Sequence, residues 1–195
     1  CGNDDSSYTD SSSQPFVIYS IPSSNEYVKK DTVIRVVFNT DMTASTINTS
    51  TFTIVNDFNN AIVTGTVNYS NKVAEFTPDA VLPSLPNNKY IVTLSPNITN
   101  SSGKEMGYEY SFSFSVKEYF IGDTGPGGGI IFFDKGYYSN FWRYLEATPT
   151  DQSTGAEFGC GGTDIPGANS FEIGDGSQNT IAIETSCTTA NTAAD

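Results

Sequence analysis

The chain has 195 residues with 9 Lys and Arg against 22 Asp and Glu, a formal net charge of −13, and no histidine. That balance disfavours nucleic-acid binding, which needs Lys and Arg to displace counterions from phosphates. The missing imidazole excludes Ser-His-Asp and Cys-His catalysis, His-ligated zinc and a histidine pH switch. With 37% hydrophobic and 13% aromatic residues but only 16% charged, the composition suits a folded β-rich protein whose outward strand faces carry Thr and Ser. "NDFNN" (Asn56–Asn60) and "GDGSQN" (Gly174–Asn179) lack the Asp-x-Asp-x-Asp-Gly run of a calcium loop and read as turns. No carboxylate spacing singles out a catalytic pair. No catalytic residue, metal or cofactor is therefore expected, and the chain is not read as an enzyme.

The first predicted element is a tether, residues 1–14, "CGNDDSSYTDSSSQ". A Cys followed by a small residue and a Ser- and Asp-rich run resembles the start of mature bacterial lipoproteins. The resemblance implies a diacylglyceryl group on the Cys1 thiol, the lipid bilayer as a partner, and a place in the bacterial envelope, at the outer membrane or cell surface. Several acyl chains at about 0.8 kcal/mol per buried methylene would make that anchor effectively permanent. Gly2–Gln14 has few apolar residues and reads as a solvated, flexible leash. The alternative is a chain end that falls on a Cys by accident. No apolar run approaches the length of a spanning helix, so membrane association would run through Cys1.

From residue 15 to 117 the sequence reads as strands separated by turns. "FVIYSI" leads through a polar connection, "PSSNEYVKKD", into "TVIRVVFN", where Ile34, Val36 and Phe38 form the apolar face and Arg35 looks outward. "DMTASTINTSTF" has room for one helical turn capped by Asp41 or Thr43. "TFTIVND" and "AIVTGTVNYS" read as a hairpin with turn residues at Asp57–Asn60. "KVAEFTP" and "KYIVTLSP" each end at proline, and "YEYSFSFSV" alternates rings with small polar residues, the clearest half-buried strand in the chain. Phe38, Phe52, Phe76, Tyr90, Phe112 and Phe114 fall at inward positions. About seven short strands with turns roughly every 8–12 residues fit an antiparallel β-sandwich.

This region resembles the S-layer-associated bacterial Ig-like domain. The resemblance is carried by the opening Ser-Ile-Pro-x-Ser, the "VVFNTDM" strand and turn, "FTPDAVLPSLPNNKYIVTL" read as a hairpin, and the glycine of "SSGKEMG" before the last strand. The loop "TNSSGKEM" departs from the family in having Ser-Ser where Asp-x-x-Gly-Asn is usual. The resemblance implies a spacer or adhesion module on a bacterial surface.

A second, smaller, loop-rich and mainly β unit is read over 118–195. It opens on "GDTGPGGGIIFFDKG" (Gly122–Gly136). A phosphate loop needs Gly-Lys-Ser/Thr opening a helix, and a dinucleotide fingerprint needs a strand before the glycines and a helix after. Here "IIFFD" follows, so "GPGGG" reads as a turn feeding a buried strand. With "WRYLEA" (Trp142–Ala147) and "FGC" (Phe158–Cys160), the segment resembles a domain of secreted bacterial proteins of uncharacterised function. That domain is related to C-type lectins and sulfatase-modifying factors. In the family further strands follow, so the resemblance implies an incomplete unit here. "WRYLEA" supports two readings. In one, Trp142, Tyr144 and Glu146 form a weak glycan or extracellular-protein site. In the other, which ring burial favours, Trp142, Tyr144 and Ala147 pack as core and Glu146 pairs with Arg143 in solvent.

Setting Cys1 aside leaves Cys160 and Cys187 as a candidate disulfide; the competing reading pairs Cys187 elsewhere. A short helix fits around "NTIAIET" within Ser177–Ala194, against its β-branched content. The function expected is a surface-anchored lipoprotein whose Ig-like domain is a spacer presenting a C-terminal interaction module. The alternative is an adhesin or glycan-binding protein using that module.

Overall fold

The computed structural model describes residues 14–84, 88–150, 155, 160 and 162–187. Cys1 with most of the tether, Phe158 and the closing "NTAAD" lie outside them. The chain divides into two compact units between Glu118 and Tyr119, and the fold is all-β apart from short helical pieces.

The first unit contains β1 (Val17–Ile21), β2 (Glu26–Val28), β3 (Ile34–Phe38), a 3₁₀ turn at Ala44–Thr46, β4 (Phe52–Asn56), β5 (Gly65–Ser70), β6 (Val73–Pro78), β7 (Lys89–Leu94) and β8 (Tyr110–Val116). They form two four-stranded sheets, in the orders β1-β3-β6-β5 and β2-β8-β7-β4. All pairs are antiparallel except β2 with β8. Alternation along each strand decides what goes inside. Ile34, Val36 and Phe38 are buried from β3, and Phe112, Phe114 and Val116 from β8. Phe52 meets Phe76 with ring centroids 5.6 Å apart, and Tyr90 stacks on Phe114 at 5.5 Å. All six predicted inward rings are in this core, as are Met42 and Met106. Arg35 faces outward and pairs with its cross-strand neighbour Glu75 at 2.7 Å, a surface contact of small worth.

Three expectations are corrected. "TFTIVND" and "AIVTGTVNYS" are not a hairpin. The chain does turn back, with the Asn56 N–H donating to Ala61 O and the Val63 N–H to Ile54 O, both at 2.9 Å. After the single bridge Val55–Ile62 it leaves, and β5 joins β6 in the opposite sheet. Gly65 makes that crossing fit, since a Cβ there would strike the Phe76 ring and lie 2.5 Å from Thr77 O. The "FTPDAVLPSLPNNKYIVTL" segment likewise joins β6 and β7 of opposite sheets. Its prolines lack ladder donors, and Pro83 O accepts the Tyr90 hydroxyl at 2.9 Å. Finally, the polar connection after Pro22 contains a strand. β2 has no apolar alternation, yet the Asn25 N–H donates to Ser113 O (2.6 Å) and the Lys117 N–H to Val28 O (2.9 Å), fixing it beside β8. The 3₁₀ turn is where a helical turn was expected, but Thr43 does not cap it with its side chain; its Oγ1 donates to Asn100 O.

The second unit holds the antiparallel hairpin β9 (Ile130–Ser139) and β10 (Trp142–Ala147) and the helix α1 (Gly176–Ser186). No residue of α1 is buried. Cys187 at its C-terminal end is joined to Cys160 by a disulfide, with Cα atoms 5.8 Å apart. Asn179 clamps Ser170, accepting its N–H at 3.3 Å and donating to its carbonyl at 2.8 Å.

Candidate functional site

The glycine segment folds onto the start of β9. The Gly122 N–H donates to Ile131 O at 2.8 Å and the Ile131 N–H to Asp123 O at 2.9 Å. The tight turn itself is closed by the Gly125 N–H to Gly129 O (2.8 Å) and the Gly128 N–H to Gly125 O (3.1 Å). Gly128, at φ +85°, occupies the region that side-chain-bearing residues avoid. The turn does hold an anion, and the anion is the protein's own: Glu146 Oε1 accepts the Gly127 N–H at 2.7 Å. A Cβ on Gly125 or on Gly127 would collide with the Glu146 carboxylate. Close backbone approach to a carboxylate is what these glycines permit. Glu146 Oε2 is buried with no hydrogen-bond partner among the described residues, so the clasp is tight but not fully satisfied.

This overturns the solvated Glu146–Arg143 pair. Arg143, 8% exposed, bonds Asp134 through both Nε (2.8 Å) and Nη2 (3.2 Å). Asp134 Oδ1 also accepts the Gly136 N–H at 2.8 Å. The two motifs, "GDTGPGGGIIFFDKG" and "WRYLEA", are thus halves of one structure. Asp134 of the first takes Arg143 of the second, and Glu146 of the second enters the glycine turn of the first.

The core reading of "WRYLEA" is also corrected in part. Trp142 and Tyr144 are half-buried and Ala147 is exposed, while the buried residues of the hairpin are Ile131 and Arg143. Nor is β9 a buried strand; of its ten residues only Ile131 is buried. Of the predicted ligand residues, Trp142 has the Lys135 ammonium over its ring at 3.6 Å and would strike any side chain placed on Gly174. Tyr144 meets Tyr119 edge-on at 5.5 Å. Lys135 also donates to Ser139 O at 2.8 Å. The three predicted residues lie on one strand but do not converge on an open site.

The sequence reading missed the opposite end of the hairpin. Ser139 pairs with Trp142 and Asp134 with Tyr144, so Lys135, Gly136, Tyr137 and Tyr138 stand opposite Arg143 alone in a wide bulge. Asn140 (φ 50°) and Phe141 (φ 64°) make the two-residue turn. Positive φ at both positions is what the twist of a hairpin demands. Tyr137, Tyr138 and Phe141 are 64%, 57% and 93% exposed. The signal was present as Asn140, a turn-forming residue, between the aromatic runs "YY" and "FW".

In the first unit a cleft of about 350 Å³ lies between the two crossover connections, lined by Phe58, Ile62, Val63, Val81, Leu82 and Tyr90 among others. Burial raises the Tyr90 hydroxyl pKa, partly countered by a hydrogen bond with Asn56. Among the described residues no three His, Cys, Asp or Glu side chains group to hold a metal ion. No helix among them is long and apolar enough to cross a membrane.

No curated protein matches the chain. Among solved structures the chain is similar to PcoC, a methionine-rich copper resistance protein from Escherichia coli. The identity is 17%, over 54% of this chain and 100% of PcoC, with a TM-score of 0.44. It is also similar to domains 1–6 of the surface layer protein SbsC, at 18% identity over 56% of this chain and 14% of that one, with a TM-score of 0.42. The family model described as Bacterial Ig-like domain matches residues 11–116. With more than half its length inside that match, this chain belongs to the bacterial Ig-like domain family.

Proposed function

We propose that the chain is a bacterial surface module in which the Ig-like unit is a spacer, tethered to lipid through Cys1, that presents the second unit for interaction rather than catalysis. One observation carries the reading. The charged side chains of the glycine and "WRYLEA" motifs are engaged inside the second unit: Asp123 accepts the Phe120 N–H, Asp134 pairs with Arg143, Glu146 Oε1 accepts the Gly127 amide, and Lys135 lies over Trp142 and donates to Ser139 O. Such a motif builds a scaffold, and what it leaves for partners is exposed ring surface. Radiolabelled palmitate supplied to cells making the protein, with protease treatment of intact cells, tests this. Label lost in Cys1→Ser and cleavage of the second unit by external protease are expected. Absence of label in the wild type rules out the tether, and full protection from protease rules out surface presentation.

A second reading, an adhesin or glycan-binding protein, is favoured by the exposed Tyr137, Tyr138 and Phe141. It moves the contact away from Trp142 and Tyr144, whose rings are already engaged within the unit.

A further inference from the structure

We infer that the bulged end of the β9–β10 hairpin is a binding edge for a neutral, hydroxyl-rich polysaccharide, with Tyr137, Tyr138 and Phe141 as its ring contacts. This deepens the second reading above and rests on it for the interaction role.

Two independent features of the backbone put these rings where they are. The bulge sets Lys135–Tyr138 against a single residue of β10, and bulges re-aim side chains that a regular ladder would alternate. The turn then places Phe141 at positive φ, where a bulky residue is an outlier and glycine the ordinary choice. A large ring held almost wholly in water, at a position that disfavours it, points to use in contact rather than to packing.

Charge selects the kind of partner. "GYYSNFW" (136–142) contains no Asp, Glu, Lys or Arg and so no side chain charged at neutral pH, in a chain of net charge −13. Lys135 lies over Trp142 at 3.6 Å, donates to Ser139 O and reaches the Tyr137 ring at 5.6 Å, so it is held within the hairpin and leaves Tyr138 and Phe141 as the rings without a cation among the described residues; Arg143 is held by Asp134. An anionic glycan, nucleic acid or acidic lipid surface meets repulsion here and no available cation. A basic partner finds no carboxylate within the segment itself. What the edge offers is two phenols, a phenyl ring, the Ser139 hydroxyl and the Asn140 amide. The complement of that set is apolar C–H faces alternating with hydroxyl groups, the surface of a neutral sugar chain. Rigid rings carry the contact at low entropic cost, and Ser and Asn adapt their hydrogen bonds to it.

The test is calorimetric titration of the full chain with cellohexaose, laminarihexaose, mannohexaose and chitohexaose, alongside hexagalacturonate and phosphatidylcholine vesicles. Binding of at least one neutral hexaose with a Kd below about 10 mM is expected, with none to hexagalacturonate. Phe141→Gly and Tyr138→Ala should each weaken it about tenfold or more, the loss of one ring contact. Phe141→Gly should not lower the melting temperature followed by Trp142 fluorescence, because it relieves the turn, so its loss of binding is not unfolding. The inference is overturned by silence of all four neutral sugars, by binding that both variants leave unchanged, or by vesicle binding without sugar binding. Each of these results leaves the palmitate experiment unaffected, so failure of the ligand class and failure of the tether are read separately.

Discussion

The Glu146 carboxylate lies in the glycine turn, its Oε1 2.7 Å from the Gly127 nitrogen, with the backbone of Gly125 so close that no side chain fits between them. The obstacles around the turn differ in how far they can yield. At Gly125 an added methyl meets the end of the Glu146 side chain and Ile131 Cδ1 at 2.9 Å; at Gly129 it meets the Ala147 carbonyl oxygen at 2.6 Å. A backbone carbonyl in a paired strand cannot step aside. Gly129→Ala is therefore expected to cost about 2–3 kcal/mol and Gly125→Ala about 1 kcal/mol, within the range for overpacking. Adding Glu146→Ala should recover part of the Gly125→Ala loss and none of the Gly129→Ala loss, a coupling that a double-mutant cycle reads directly. Trp142 is the single tryptophan of the chain, so thermal unfolding followed by its fluorescence reports on this hairpin.

The Asp134–Arg143 pair should dominate the stability of the same hairpin. Both side chains are nearly enclosed, at 11% and 8% exposure, and removing one partner strands a buried charge. Asp134→Ala is expected to cost about 3–5 kcal/mol. Asp134→Asn keeps an acceptor oxygen for the Arg143 Nε–H and should cost less. Equal losses for the two substitutions, measured by the fluorescence transition, would show that the retained acceptor oxygen contributes nothing and that the carboxylate charge carries the whole effect.

Particular residues show what could be read ahead of the structure. The apolar stripe Ile34, Val36, Phe38 and the rings of "YSFSFSV" are local period-2 patterns, so their burial was legible. The partner of a strand is not a local property. Asp57–Asn60 is a genuine turn, but nothing within "TFTIVND" says that β7 will occupy its flank and send β5 to the other sheet. Pattern reading therefore overcalls hairpins where sandwich strands cross over. β2 was hidden for the opposite reason, since its place comes from backbone bonds to neighbours and not from its side chains. In the second unit the motif residues stood out as a group, but their roles follow from which face each leaves. A strand with register shifts near Trp142 and Leu145 does not reveal its faces by counting.

Acid should weaken the first unit through Glu118. The Ser84 hydroxyl donates to its carboxylate and holds its pKa below the ordinary glutamate value, against the upward push of burial, with Lys30 adding a bond and an opposite charge at 3.1 Å. A depressed carboxylate contributes stability that is complete above its unfolded pKa and disappears as pH falls through the folded one. The wild type should therefore exceed Glu118→Gln at neutral pH, and the two should converge in the acid range. The side chain is about one-third exposed, at 32%, so solvent screening keeps the difference modest. Chemical unfolding followed by near-UV tyrosine signal across pH measures it, and curves that stay parallel into acid would rule out this contribution.

The helix α1 gives the last prediction, because so little of it is packed. None of its residues is buried, and an isolated helix of this length is marginal in water. What holds it are the Asn179–Ser170 clamp at its start and the disulfide from Cys187 at its end. The bridge spans 27 residues, and closing such a loop stabilises the folded form by about 3–4 kcal/mol on the chain-entropy model. Reduction, or Cys160→Ser, should consequently release the helix. Amides across Gly176–Ser186 should lose hydrogen-exchange protection, while those of β3, β7 and β8 keep theirs because their protection comes from the sandwich core. Restoring the bond by reoxidation should return the protection. If the amides of α1 exchange equally slowly with the bond reduced, packing that the buried surface does not reveal must be holding the helix in place.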